Sequence, residues 1–164
     1  MREPVDTVKR AKSWTYQLQG DTSRVNRTDA DVAVIDPDHA GSAQKYKSKR
    51  NGGKRAVLAY ISVGEVEEGR RYMKSGGRKF STGRTQGWAG NYAARYWEGG
   101  WKSLVKERVR EALRKGYDGV YLDRVETEWP LRMTLQPGSH VPLHCTASGK
   151  LLLALLPAAR RRRI

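Results

Sequence analysis

Arg55–Glu68 reads RAVLAYISVGEVEE, and the contrast between its two halves decides the fold class. Ala56–Ile61 is a short run of apolar, β-branched and aromatic residues, the composition of a strand buried on both faces in a parallel sheet. After Gly64 the chain turns to carboxylates: Glu65, Glu67 and Glu68. A buried strand that hands acids to the loop at its C-terminal end is how α/β barrels and open sheets place reactive groups. An ordinary strand running into a solvated acidic turn has the same local sequence, so the neighbouring segments must decide.

Upstream, Asp31–Ile35 is a second apolar run, stopped by Asp36-Pro37-Asp38. Pro37 cannot donate a ladder bond, which puts Asp36 at or just past the strand end. Ser42–Arg50 reads as a short helix capped by Ser42 and stopped at Asn51-Gly52-Gly53. Strand, helix, strand within about thirty residues is the βαβ unit of a parallel sheet. Before it, Trp14–Gln19 mixes aromatic and β-favouring residues up to Gly20 and reads as a first strand; Met1–Lys12 is a charged lead-in.

Downstream, Arg70–Gly100 shows no sustained period, only aromatic residues among glycines. Such a connection is functional or disordered, and its rings either stack on sugars or bases or make a small core of their own. Trp101, Leu104, Val105, Val109, Ala112 and Leu113 then mark one face of a helix, with Lys and Arg opposite and Gly116 as a left-handed stop. Tyr117–Leu122 is a fourth strand, ended by Asp123. Asp36, Glu65 and Asp123 therefore fall at the ends of three parallel strands. Three acids on one rim signal an acidic site.

A complete eightfold barrel takes about 250 residues. The 164 residues here are expected to hold an α/β fold, a partial (β/α) TIM-barrel-like arrangement of about four parallel strands with crossover helices, with a short C-terminal strand-helix fragment. The 32 Lys and Arg against 17 Asp and Glu give a net charge of +15. That balance favours loose association with anionic partners without specifying one; solvated helix faces and the basic tail at Arg160–Arg163 account for it without a dedicated nucleic-acid site. One cysteine, Cys145, excludes an intrachain disulfide, and three histidines make a metal cluster unexpected. No cofactor is expected. The N-terminus lacks the apolar core of a secretion signal, and no apolar run approaches the ~20 residues of a membrane span. A cytoplasmic protein with no membrane partner is the expectation for the chain as written.

With these residues placed, Trp14–Asp123 resembles the front part of glycoside hydrolase family 114. The likeness rests on WTYQLQG at Trp14–Gly20, VAVIDPD at Val32–Asp38, LAYISVGEVEEGRRY at Leu58–Tyr72, the aromatic segment from Trp88 to Trp101, and KGYDGVYLD at Lys115–Asp123. The resemblance implies a barrel fold, endo-α-1,4-polygalactosaminidase activity, an aminosugar polymer as partner and secreted relatives. It implies Asp123 as a catalytic carboxylate, with Asp36 and Glu65 orienting the sugar or tuning Asp123. Trp14, Tyr60, Glu67, Arg70, Trp88 and Trp97 become the implied substrate-binding residues. A glycosidase needs a second carboxyl group about 5–9.5 Å from the first; in such barrels it comes from a later strand, which this chain is expected to lack.

Gly138–Pro157, GSHVPLHCTASGKLLLALLP, resembles instead the start of the effector-binding domain of IclR-type transcriptional regulators. Thr146 and Ser148 before Gly149-Lys150 lack the full spacing of a phosphate loop. The expected division is a truncated hydrolase-like portion at 1–128 and a regulator-like fragment with a basic tail at 129–164. An incomplete barrel leaves open sheet edges, through which self-association is expected. Alternative readings are a non-catalytic aminosugar-binding module and an IclR-like regulator fragment; a basic nucleic-acid-associated protein is separable by its salt dependence.

Overall fold

The apolar runs become parallel strands. The computed structural model describes residues 4–124, in chain order α1 (Pro4–Arg10), β1 (Trp14–Gln17), β2 (Val32–Ile35), α2 (Pro37–Ala40), β3 (Ala56–Ser62), β4 (Glu65–Glu67), β5 (Ser81–Arg84), β6 (Asn91–Ala94), α3 (Gly99–Arg114) and β7 (Gly119–Asp123). β1, β2, β3 and β7 form one sheet in that order, every pairing parallel. The expected C-terminal strand-helix fragment and the division at residue 128 lie outside the described residues.

Register explains which side chains meet. Ala33, Ile35, Val57 and Ala59 alternate onto one face, where they pack with Val25, Ala40, Ala43, Tyr46, Ala112 and Tyr117. The many alanines let the turns and α3 approach closely. Fully buried Ile35 and Val57 each contribute about 1.5–3 kcal/mol of transfer free energy. The opposite face carries Tyr16, Tyr60 and Tyr121, with ring centroids 5.9–6.4 Å apart. β1 is only half-buried, and Trp14 at its start is 62% exposed.

Two expectations need correction. Ser42–Arg50 is not a helix but a single 3-10 turn at Ala43–Tyr46, although Ser42 caps it through Gln44 N as expected. Tertiary bonds compete there with helix propagation. Lys49 N donates to Gly53 O and Arg50 N donates to Thr28 O, so N–H groups that a helix would bond internally are already taken. The crossover helix after β3, α3, is by contrast full length, and Gly116 ends it at φ 84° as its sequence requires.

The second correction concerns Arg70–Gly100, which lacked any readable period. β4, β6 and β5 form a separate antiparallel sheet in that order. Val66, Tyr72, Phe80, Tyr92, Ala94 and Trp101 make its core. Most of the aromatic residues are thus the segment's own packing, whereas Trp88 and Trp97 stay exposed.

Asp31 fastens the entry to the parallel sheet. Its carboxylate takes Lys49 Nζ at 2.5 Å and the backbone N–H groups of Lys12 and Ser13 at 2.8 and 3.2 Å. The Lys49 bond, then the Lys12 bond, lower its pKa from 3.8 to about 2. A depressed acid contributes stability above its unfolded pKa and loses it as pH falls through the folded value. Between pH 4 and about pH 2 the wild type is therefore expected to lose more thermal stability than Asp31→Asn, measured by melting curves across that window. Parallel curves would remove Asp31 from this role.

Candidate active site

The C-terminal ends of all four parallel strands open into one cleft of about 700 Å³, within the ~300–1,000 Å³ usual for ligand sites. Asp36 follows β2, Glu65 and Glu67 follow the turn after β3, and Asp123 closes β7. Tyr16 and Tyr60 line the cleft, and Trp88 and Asn91 reach it from the antiparallel sheet. The lining holds six carboxylates against three arginines. A strongly basic chain thus presents a locally acidic site.

Asp123 is held by its neighbours. Its backbone carbonyl accepts Val63 N at 2.8 Å, and Trp101 Nε1 donates to Val63 O at 2.7 Å from below. Tyr60 Oη donates to Asp123 Oδ2 at 2.7 Å. Burial, reinforced by that bond and by the Asp123 charge, pushes the Tyr60 phenol far above its ordinary value. Burial and Asp123 do the same to Tyr16. Both phenols remain protonated donors at neutral pH. Tyr60 donates its proton to Oδ2.

Arg70 lines the cleft and is clasped by its carboxylates. Its Nη1 meets Asp36 Oδ2 at 2.7 Å and Asp38 Oδ2 at 2.8 Å, while Nε and Nη2 clasp Glu67 at 3.0 and 2.8 Å. Burial opposes the charge of Arg70, but Glu67 and Asp36 outweigh it and drive the pKa up. Arg108 adds a second cation to Asp38 at 3.2 Å. Burial raises the Asp38 pKa, and the Arg108 and Arg70 guanidiniums more than reverse this. Asp36 also caps α2 by accepting Asp38 N at 2.9 Å. The carboxylates of Asp36 and Glu67 are therefore engaged in holding Arg70.

Glu65 differs. It is buried, Asn91 Nδ2 donates to its Oε2 at 3.0 Å, and its Oε1 has no hydrogen-bond donor among the described residues. Arg124 Nε lies 3.5 Å from Oε1, close enough for ionic attraction without hydrogen-bond geometry. Gly64 permits this approach, since a Cβ there would sit 2.1 Å from Arg124 O. Gly64→Ala is expected to cost about 1–3 kcal/mol by overpacking, against a change within about 0.5 kcal/mol for Gly83→Ala, whose Cβ meets nothing. Equal urea midpoints for the two variants would contradict this.

Asp36, Glu65, Asp123, Tyr60, Glu67, Arg70 and Trp88 thus come together, as their sequence blocks implied. Trp14 does not: it sits at the opposite end of β1 and lines no part of the cleft. Trp97 lines a smaller neighbouring cavity. Tyr16, Asp38, Glu68 and Asn91 were missed. Tyr16 could have been found from its alternation with Trp14; the others depend on contacts between distant segments. No described group of three or more His, Cys, Asp and Glu could hold a metal ion, and no described helix is long and apolar enough to cross a membrane.

Comparison with known proteins matches this geometry. The model of glycoside-hydrolase family GH114 matches residues 2–142, past Asp123, where the motifs quoted for that family end. The glycoside hydrolase domain of PelA from Pseudomonas aeruginosa superposes with a TM-score of 0.56 at 19% identity, covering 93% of this chain and 50% of that one. Aspergillus fumigatus Ega3, solved in complex with galactosamine, gives 0.53 at 21% identity, covering 92% and 55%. At these identities the likeness is one of fold, and it establishes the sheet as a partial TIM-barrel-like arrangement. A 60-residue stretch is also 67% identical to the probable transcriptional regulator SauR of Cupriavidus necator, covering 37% of this chain and 24% of SauR, in keeping with the regulator-like second resemblance. The chain spans about a quarter of SauR and about half of each solved hydrolase. Over most of its length, this chain belongs to glycoside hydrolase family GH114.

Proposed function

We propose that this protein is a glycoside hydrolase acting on an α-1,4-linked galactosamine polymer, with Asp123 as a reacting carboxylate. The observation that carries the reading is Asp123 itself, at the end of a barrel strand, one oxygen held by Tyr60 and the residue lining an acidic cleft. Family membership supplies the reaction class. The excess of carboxylates supplies the substrate charge, because a polymer bearing ammonium groups is attracted over roughly a Debye length, about 8 Å at physiological salt. Ega3 was solved with galactosamine, which favours the same sugar here.

Glycoside cleavage takes two carboxyl groups. Asp36, Asp38 and Glu67 are committed to Arg70, and Glu68 to Arg78 and Tyr92. The family resemblance implies that the second reacting carboxyl comes from a later strand, and Glu65 serves as an acceptor that orients the sugar. That commitment also favours a second reading, a module that binds the polymer without cleaving it.

Incubation of the purified chain with α-1,4-galactosamine polymer, followed by reducing-end assay and binding measurements, separates the two. Reducing ends released in proportion to enzyme support the hydrolase. Binding of the polymer without release of reducing ends supports the module. Binding that collapses steeply with salt and extends to nucleic acid would overturn both.

A further inference from the structure

Wherever else the described chain takes a positive φ it does so at glycine; Arg124, at φ 56°, is the exception. In this left-handed region Cβ crowds the backbone, and arginine lacks the short bond to its own backbone by which asparagine offsets the strain. Such strain persists only where the surroundings over-determine it, and it gathers at functional sites. The surroundings supply two constraints here. Asp123 O accepts Val63 N at 2.8 Å, which fixes the residue before. A Cβ on Gly64 would collide with Arg124 O, so the end of the neighbouring strand must carry glycine to admit the arginine. The Arg124 side chain, 35% exposed, lines the main cleft directly after Asp123. Of the other two arginines there, Arg70 is clasped by Asp36, Asp38 and Glu67, and Arg71 lies toward Glu111. Arg124 Nε stands 3.5 Å from Glu65 Oε1. That attraction needs a cation nearby, but not one mounted on strained backbone beside the reacting carboxylate.

We infer that Arg124 is a sugar-contacting residue, held under backbone strain so that its guanidinium donates to hydroxyl oxygens of the galactosamine unit lying over Asp123. A guanidinium only donates, and it repels an ammonium. That unit therefore turns its hydroxyl edge to Arg124 and its amino group toward the carboxylates around Arg70. The inference rests on the carbohydrate reading of the main cleft. It adds the residue that sets which edge of the sugar faces β7.

Two measurements on the full chain test it. Thermal unfolding compares Arg124→Gly with Arg124→Ala. Both lose the guanidinium and its attraction to Glu65, so the difference between them reads the backbone alone. At an ordinary position alanine is the more stable of the two; here Arg124→Gly is expected to melt about 2–4 °C above Arg124→Ala. Calorimetry then follows an α-1,4-galactosamine tetramer binding to the Asp123→Asn chain, in which hydrolysis does not intervene. Added to that parent, Arg124→Gly and Arg124→Ala are each expected to weaken binding about tenfold, or about 1.4 kcal/mol. Equal losses in two variants of unequal stability assign the loss to the side chain. Losses that track stability instead, or Arg124→Gly melting at or below Arg124→Ala, overturn the inference. So does tetramer binding in both variants as tight as in the parent or tighter, which leaves Arg124 without a sugar contact while the reading of the main cleft survives. If the parent binds no tetramer, this inference and the proposed function both fall.

Discussion

Asp123→Asn is expected to lower the release of reducing ends from galactosamine polymer by about 10²–10⁴-fold, the contribution typical of a positioned acid or base. The substitution keeps shape and removes charge. An asparagine carbonyl still accepts the Tyr60 hydrogen bond now made to Oδ2 at 2.7 Å, and the backbone bond from Val63 N is untouched. Thermal unfolding should therefore stay close to wild type, so that a fall in rate reports chemistry. Tyr60→Phe removes the donor while Asp123 remains; it should cost less than Asp123→Asn because the carboxylate can still react. A variant Asp123→Asn that keeps more than half the wild-type rate with its fold intact would show that the reacting carboxyl lies elsewhere.

The second large effect is on stability. Arg70→Met is expected to destabilise the protein by about 3–5 kcal/mol, the usual result of removing one partner from a buried charge network. Three carboxylates, Asp36, Asp38 and Glu67, lose their shared cation, and the Arg70 side chain is only 10% exposed. Lysine cannot reproduce the fork that meets Glu67 through Nε and Nη2 together, so Arg70→Lys should recover only part of the loss. The sign with pH follows from Asp38, whose pKa the guanidiniums hold below 3.8. That stability is present above the unfolded value and disappears as pH falls through the folded one. The gap between wild type and Arg70→Met should therefore narrow below about pH 4. Urea denaturation across pH tests both statements, and a gap under about 1 kcal/mol at pH 7 would remove Arg70 from the centre of the rim.

The parallel sheet was legible because its signals are local. Val32–Ile35 and Ala56–Ile61 are buried apolar runs, and the three- and four-residue spacing from Trp101 to Leu113 is that of one helix face. The rim acids were legible for the same reason, since a strand end fixes where its next residue lies. The antiparallel sheet was not, because its strands are three or four residues long, too short to establish alternation. Two of its core rings, Tyr72 and Phe80, sit in 3-10 turns rather than strands. Nor could the chemistry of Arg70 be read. Its block marked it as part of a site, but only folding shows that residues from α2, β4 and their flanks surround it.

The antiparallel sheet enters the chain between β3 and α3 and carries a hydrophobic core of its own. Its side chains reach the cleft through Trp88 and Asn91, and the neighbouring cavity through Thr85 and Trp97. Foundation and furnishing therefore have separate cores that are joined at Trp101, which packs in the antiparallel sheet and donates to Val63 O beside the strand that bears Asp123. Substitutions in this wall that spare Trp101 can therefore accumulate without loosening the strand that bears Asp123.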